Sequence, residues 1–255
     1  NEASLYNDHK SSAHRRIIFE EFFWLELYLA SKKSNLKKEK GIAIKNESKL
    51  SAALVKALPF ELTGAQITAY QEIKQDLESG RPMNRLVQGD VGSGKTLVSF
   101  LAALSSFESG YQSCLMAPTE ILAEQHFRNA EKQLGPLGMS IGLLTGKTKT
   151  KERKELIDKL ISGEIHFLIG THALIEDWVQ FKNLALVIID EQHRFGVAQR
   201  SILKSKGYSP HFLIMTATPI PRTLAMTVYG DLDVSIINEM PQGRSLIQTR
   251  VIQES

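Results

Sequence analysis

One eight-residue segment has the residue types and the spacing needed to bind a nucleoside triphosphate. It is Gly89-Asp90-Val91-Gly92-Ser93-Gly94-Lys95-Thr96, a complete match to the pattern G-x-x-x-x-G-K-[ST]. In such a loop, backbone N–H groups and the N-terminus of the following helix bind phosphate oxygens. Lys95 would reach the β- and γ-phosphates, and Thr96 would offer its hydroxyl to Mg²⁺. Because every fixed position matches, a chance glycine-rich turn is the weaker interpretation.

A second segment supplies two adjacent carboxylates at the end of an apolar run. Asp190 and Glu191 directly follow Leu186-Val187-Ile188-Ile189. If the run is a buried strand, its carboxyl end lies where open α/β sheets bind their ligands. Asp190 would then hold Mg²⁺, and Glu191 would orient or deprotonate the attacking water, with the two side chains diverging. Taken alone, the pair is equally typical of a solvated strand exit, so this prediction depends on the phosphate loop.

The elements that must position these residues are short β-branched runs, which alternate with helical stretches from Pro59 onward. This alternation is typical of βαβ units, and apolar runs without internal alternation indicate strands that are buried on both faces. The sequence therefore predicts an α/β fold, a mostly parallel sheet with helices on both faces. Strands are predicted at residues 85–88, 113–117, 140–144, 166–170, 185–190, 212–216 and 234–237, and helices at residues 64–79, 95–108, 121–133, 151–162, 198–204 and 221–228.

The first 58 residues differ in composition from the rest of the chain. Residues 13–30 lack Gly and Pro and carry many apolar groups, which predicts a helix whose wide apolar surface packs on two neighbours. The lysine-rich segment at residues 32–56 is open to two interpretations, contact with a phosphate backbone or a solvated linker. Residues 1–58 hold eleven Lys and Arg against seven Asp and Glu, so the excess of positive charge is local.

Composition excludes several classes of protein. With 42% hydrophobic and 23% charged residues among 255, the chain is suited to a globular core rather than to disorder. A single cysteine, Cys114, cannot form an internal disulfide, and the apolar runs are far shorter than the roughly 20 residues of a membrane span. These features favour the cytoplasm. The chain begins with Asn1 rather than Met, which suggests a fragment.

Three motifs, in this order, resemble the first motor domain of a superfamily 2 helicase of the DEAH/DExH type. They are the phosphate loop, Asp190-Glu191-Gln192-His193 and Thr216-Ala217-Thr218-Pro219. The longer strings DEQHRFGVAQR (190–200) and MTATPIPRTLA (215–225) are similar to the RecG family of bacterial branched-DNA helicases. The related Mfd and PriA types are the alternatives, and Gln192 stands where Mfd usually has a second glutamate. The resemblance runs from about Leu58 to the end and, more weakly, through residues 13–30.

This resemblance implies a RecA-like domain with roles for residues outside the loop. Gln66 would bind adenine through its amide and Phe60 would cover the ring, although an exposed helix position is the alternative for Gln66. Contacts to the DNA backbone, which need no base recognition, are implied for Pro118, Thr119, Thr145, Gly146, Gly170, Thr171 and His172. Coupling between nucleotide and DNA is implied for Gln192, His193, Thr216 and Thr218.

A cluster of basic residues lies just after Thr145-Gly146. Its members are Lys147, Lys149, Lys151, Arg153 and Lys154. They would either extend the phosphate track or form ion pairs with Glu152, Glu155 and Asp158 along one helix face, and the sequence leaves both interpretations open.

The resemblance also implies a division of the chain. Residues 1–57 would be a helical linker after a missing wedge domain, residues 58–243 the first RecA-like ATP-binding domain, and residues 244–255 the start of a missing second motor domain. The implied function is the motor of an ATP-dependent DNA helicase that translocates on and remodels branched DNA, with ATP and Mg²⁺ as cofactors and DNA as partner. It would be a monomer in the bacterial cytoplasm, associated with the nucleoid and not with a membrane.

Two other classes of protein share part of this pattern. A P-loop kinase or an AAA-type ATPase would have the phosphate loop but would not account for residues 216–222. A nucleotide-gated nucleic-acid-binding module without catalysis would not require Glu191.

Overall fold

The structure is a computed structural model that describes residues 11–36, 40–45, 47–191, 197–218 and 232–240. Its helices are α1 (Ser12–Leu36), α2 (Lys49–Ala57), α3 (Gly64–Glu78), α4 (Lys95–Glu108), α5 (Glu120–Leu134), α6 (Thr150–Ser162) and α7 (Val197–Ser205). Its strands are β1 (Asn84–Gly89), β2 (Gln112–Met116), β3 (Ile141–Leu144), β4 (Phe167–Gly170), β5 (Leu184–Asp190), β6 (His211–Thr216) and β7 (Asp233–Ile237). The predicted strands are confirmed with ends shifted by one residue at most; the helix predicted at 221–228 lies outside the described residues.

The seven strands form one sheet in the order β3-β4-β2-β5-β6-β1-β7, and every pair of neighbours is parallel. The register pairs Asp190 with Met215 and Gln88 with Thr216. Because the strands are parallel, the ends of β1, β5 and β6 lie side by side at the carboxyl edge. This edge therefore brings together the phosphate loop, the two carboxylates and Thr216.

Both faces of the sheet are covered, as the unbroken apolar runs predict. Successive side chains of a strand point to opposite faces, so the neighbours Leu86 and Val87 belong to different apolar clusters. The Val87 cluster includes buried residues of α3, α4 and α5, and the Leu86 cluster includes Leu160 of α6 and Leu203 of α7. The predicted α/β fold with helices on both faces is thus confirmed.

Part of the lysine-rich segment is folded onto the same core, so its interpretation as a solvated linker is wrong for residues 41–45 and 47–56, the described part that packs there. The Ile44 N–H donates to Leu77 O at 2.8 Å, and Ile44 is 1% exposed. Helix α2 buries Leu54 in the same apolar cluster. Burying such a side chain stabilises the fold by about 1.5–3 kcal/mol. The packing partners are distant in sequence, so the local lysine content does not predict this burial. Lys40, Lys45, Lys49 and Lys56 are exposed.

Helix α1 is continuous over 25 residues and longer than predicted. Its apolar side chains are not packed as expected: among the described residues Trp24 is 65% exposed, Phe19 59% and Phe22 55%. The predicted packing on two neighbours is therefore not found within the described residues and stays a prediction. Apolar groups occur on all sides of α1 rather than in one stripe, so no single neighbour could bury them together. Within the described ranges, no helix is long and apolar enough to span a membrane.

Arg85 fixes α3 against the edge of the sheet. Its guanidinium, in β1, bonds Asp76 Oδ2 at 2.7 Å and Glu72 Oε2 at 3.0 Å, both on α3, and Ser235 Oγ of β7 at 2.9 Å. The Ser235 hydroxyl also donates to Glu72. The nearly buried cation is thereby paired and joins β1 to α3 and β7. These bonds fix the position of α3, the helix that carries Gln66.

Candidate functional site

The phosphate loop connects β1 to α4 and requires glycine at two close approaches. Gly94, the residue before α4, has φ of +90°, and a Cβ there would lie 2.2 Å from Gln66 Nε2. A Cβ on Gly89 would lie 2.5 Å from Ser93 Oγ and 2.7 Å from Ile237 O. A side chain at either position would collide with Gln66, Ser93 or Ile237. The glycines of the motif therefore set the shape of the loop.

Lys95 lies inside this loop, and its ammonium is held by backbone carbonyls. Nζ donates to Gly89 O at 2.5 Å and to Asp90 O at 2.9 Å. Burial lowers the pKa of Lys95, and the negative charges of Asp190 and Glu191 offset part of that effect. These electrostatic contributions show that the lysine and both predicted catalytic carboxylates share one site.

Ser93 supports the assignment of this loop to phosphate. Its hydroxyl is buried and has no hydrogen-bond partner among the described residues. Buried polar groups are normally paired, so an unpaired hydroxyl beside a lysine suits an anion with several acceptor oxygens. The loop, Lys95 and the α4 N-terminus together fit the β- and γ-phosphates of a nucleotide. Thr96 lies in the first turn of α4 and is half-buried.

The two carboxylates at the end of β5 point to different elements, as the sequence predicts. Asp190 Oδ2 lies 2.7 Å from His126 Nε2 on α5. Glu191 has φ of +54°, and its Oε1 accepts a hydrogen bond from Ala217 N–H at 3.1 Å. A non-glycine residue in the left-handed region is uncommon and is retained where its surroundings require it. The backbone turn at Glu191 thus directs its carboxylate to the end of β6.

His126 is a site residue that the sequence analysis missed. It forms part of the buried stripe of α5 together with Ala123, Ala130 and Leu134. A polar residue within an otherwise apolar helix stripe is a signal that can be detected in a sequence, because a buried polar group needs a partner. The identity of that partner, Asp190, could not be inferred, because the two residues are 64 positions apart.

Gln66 is buried rather than exposed, so its alternative interpretation as a surface helix residue is wrong. It completes a capping box with Thr63 at the start of α3, and its Oε1 accepts from Thr63 N–H at 2.9 Å. Its Nε2 donates to Ser93 O in the phosphate loop at 2.7 Å. Gln66 therefore stabilises the phosphate loop in this structure. Its predicted binding of adenine stays a prediction. Phe60 is 42% exposed.

The residues predicted to contact DNA follow three neighbouring strands. The register aligns Gly170 with both Met116 and Leu144, so the segments after β2, β3 and β4 start side by side. Thr119 caps α5, its Oγ1 accepting from Leu122 N–H at 3.3 Å. Thr171 is buried, and its hydroxyl has no hydrogen-bond partner in the described part of the chain. Pro118, Thr145, Gly146 and His172 lie in the same three segments.

A carboxylate lies within this predicted phosphate track. Glu120, the first residue of α5, forms an ion pair with Lys147 at 2.8 Å, which lowers the pKa of Glu120 and raises the pKa of Lys147. Lys147 thus has a partner that neither interpretation of the basic cluster anticipated. Arg153 donates to Thr148 O at 3.1 Å and lies over the Trp178 ring at 5.1 Å.

The predicted coupling residues are only partly described. Thr216 is 1% exposed, and its Oγ1 accepts from Thr218 N–H at 3.2 Å. Gln192 and His193 lie outside the described residues, so their roles stay predictions. The hydrogen bond from Ala217 N–H to Glu191 joins the same turn to the carboxyl edge of the sheet at the end of β5.

Comparison with known proteins places this site in a helicase context. Residues 63–227 match the DEAD/DEAH box helicase family. The chain is 51% identical over 244 residues to the ATP-dependent DNA helicase RecG of Aquifex aeolicus (strain VF5), covering 95% of the chain and 31% of that relative. It is 49% identical over 247 residues to the RecG of Escherichia coli (strain K12), covering 95% of the chain and 36% of that relative.

A solved structure agrees with these relatives. The chain superimposes on the structure of RecG bound to a three-way DNA junction with a TM-score of 0.83 and 46% identity, over 94% of the chain and 33% of that protein. The chain thus spans about a third of the length of the relatives it matches. Since the family match runs through the phosphate loop, both carboxylates and the Thr216 turn, the chain belongs to the DEAD/DEAH box helicase family.

Proposed function

We propose that this chain is the ATP-binding motor domain of a DNA helicase that translocates on and remodels branched DNA. One observation carries the proposal: the parallel sheet brings Lys95, Asp190 and Glu191 to one edge, in a chain of which 94% matches a RecG structure solved on a DNA junction. The boundary at residue 243 and a bacterial cytoplasmic location belong to the same proposal. The predicted boundary at residue 57 does not, because Ile44 and Leu54 pack in the core of the α/β domain.

The residues of the nucleotide site have separate roles in this proposal. Lys95 binds the β- and γ-phosphates after leaving the carbonyls of Gly89 and Asp90. Thr96 and Asp190 hold Mg²⁺, which when bound neutralises charge on the phosphates. Glu191 accepts a proton from, or orients, the attacking water. Lys95 therefore affects nucleotide binding, whereas Glu191 affects hydrolysis.

The direct test is whether DNA stimulates ATP turnover by the natural-length protein. A helicase motor shows stimulation, whereas a nucleotide-gated binding module without catalysis binds both ligands and turns over no ATP. Higher turnover with a forked substrate than with a linear duplex would favour remodelling of branched DNA over translocation on unbranched duplex. Equal ATP turnover with and without every DNA would contradict the proposal.

Replacing Lys95 with alanine is expected to weaken Mg·ATP binding by about 10- to 100-fold. This follows because a charge-assisted hydrogen bond contributes about 1.5–3 kcal/mol. The measurement is titration with a fluorescent ATP analogue. Lys74→Ala, which removes an ion pair with Glu78 on α3, is the matched control and should bind normally. Wild-type affinity in the Lys95 variant would remove the lysine from the proposed site.

Replacing Glu120 with glutamine is expected to strengthen binding of single-stranded DNA. The change removes a negative charge from the phosphate track and leaves Lys147 without its carboxylate partner. One additional phosphate contact would make the slope of log K against log salt concentration more negative by about 0.7. Fluorescence anisotropy at several salt concentrations measures both quantities. The control is Glu131→Gln, which removes a negative charge from an exposed position of the same helix, further from Lys147 in sequence. Unchanged affinity and slope would show that Glu120 does not compete with DNA.

A further inference from the structure

The contact between His126 and Asp190 joins two nearly buried side chains. Their relative exposures are 9% and 13%, and Nε2 lies 2.7 Å from Oδ2. An ionised carboxylate only accepts hydrogen bonds, so the ring must donate through Nε2. The other ring nitrogen, Nδ1, is buried and has no partner among the described residues. The histidine is therefore committed to Asp190 rather than to a wider polar network.

The contact between His126 and Asp190 lies at the proposed nucleotide site. Asp190 ends β5 at the catalytic edge, where its charge acts on Lys95. A carboxylate has two oxygens, and a hydrogen bond to one of them fixes the rotation of the whole group. Side chains that hydrogen-bond a metal-binding carboxylate orient it, and their loss typically costs about 10- to 100-fold in metal affinity or activity.

We propose that His126 is a positioning residue for the metal-binding carboxylate of this motor. It holds Oδ2 of Asp190 and so fixes the rotation of the carboxylate that would bind Mg²⁺. The inference rests on the proposed nucleotide site and adds a specific residue to it.

The location of His126 on α5 extends the inference. The same helix begins at Glu120, immediately after Thr119, and its first turn belongs to the proposed DNA track. His126 lies less than two turns further along. The donor to Asp190 is therefore carried by the helix whose first turn belongs to the proposed DNA track.

The test measures nucleotide binding rather than turnover alone, in the natural-length protein. A fluorescent ADP analogue is titrated once with Mg²⁺ and once with EDTA, and the ratio of the two affinities is obtained for each variant. His126→Phe and His126→Met fill the volume but cannot donate, whereas His126→Gln keeps a donor on a side chain of similar reach. Arg128→Gln, on the exposed side of the same helix, is the control.

The expected result is a 10- to 100-fold loss of the Mg²⁺-dependent gain in affinity for the Phe and Met variants, as for other carboxylate-orienting groups. Affinity in EDTA should stay at the wild-type value, and the Gln variant should recover most of the gain. Steady-state turnover should show the same order when Mg²⁺ is limiting.

Three outcomes would overturn the inference. They are an unchanged Mg²⁺-dependent gain in the Phe or Met variant, an equal loss of affinity in EDTA, and a Gln variant as impaired as Phe. The second outcome would make His126 a packing residue of the fold. If the wild-type protein binds no nucleotide under either condition, the proposed function fails instead, and this result is distinct from all three.

Discussion

Replacing Glu191 with glutamine is expected to lower DNA-stimulated ATP turnover by about 10²- to 10⁴-fold, the contribution that a positioned general base makes. Glutamine retains an oxygen that can accept the hydrogen bond from Ala217 N–H, so the turn at the end of β6 keeps its support. It cannot accept a proton from water. Nucleotide affinity should therefore change by less than about threefold, or 0.7 kcal/mol.

The measurement combines turnover in the natural-length protein with titration of a fluorescent ATP analogue. Lys95→Ala provides the contrast, because that change removes an interaction with bound phosphate and should lower affinity itself. Equal loss of affinity in the two variants would contradict the separate roles proposed for Lys95 and Glu191. Turnover within tenfold of wild type in the Glu191 variant would exclude this residue as the base.

Acidification from pH 7 to pH 5 is expected to remove about 2 kcal/mol of folding stability through one residue, His211. His211 is fully buried at the start of β6; Nδ1 accepts from Met83 N–H at 3.0 Å, and Nε2 donates to Ile42 O at 2.8 Å. Burial lowers its pKa from 6.5 to about 4, and the bond to Ile42 offsets only part of that effect.

The sign follows from proton uptake on unfolding. Between pH 6.5 and about 4 the unfolded chain protonates His211 while the folded chain keeps it neutral, so this contribution is present above pH 6.5 and decreases as the pH falls. Below about pH 4 the loss is complete, at about 3 kcal/mol. A protonated ring cannot accept from Met83 N–H at Nδ1, whereas Nε2 can still donate to Ile42 O, so the contact with Met83 should be lost first.

Urea unfolding of the chain at a series of pH values measures this effect. His211→Asn keeps an acceptor for Met83 N–H and does not titrate in this range, so its free energy of unfolding should depend less on pH. The difference between the two slopes isolates His211 from other titrating groups. Identical slopes for the wild type and the Asn variant would show that another group is responsible.

From the sequence we could predict the phosphate loop, the class of fold and the strands. Each of these is a local property: the glycines and Lys95 occur within eight residues, and an apolar run such as Leu184–Asp190 indicates a strand buried on both faces wherever it is placed. The residue motifs also indicated the helicase family. Parallel pairing then follows from the alternation of strands and helices, and it requires the carboxyl ends to share one edge.

Which side chains contact one another depends on how the strands and helices pack. His126 and Asp190 are 64 residues apart, Gln66 and Ser93 are 27 apart, and His211 reaches Ile42 across 169 positions. No local pattern specifies such pairs, because each depends on the order in which strands join the sheet and on helix packing. The same reason explains residues 41–45 and 47–56, whose lysines indicate solvent while Ile44 and Leu54 are buried by elements distant in sequence.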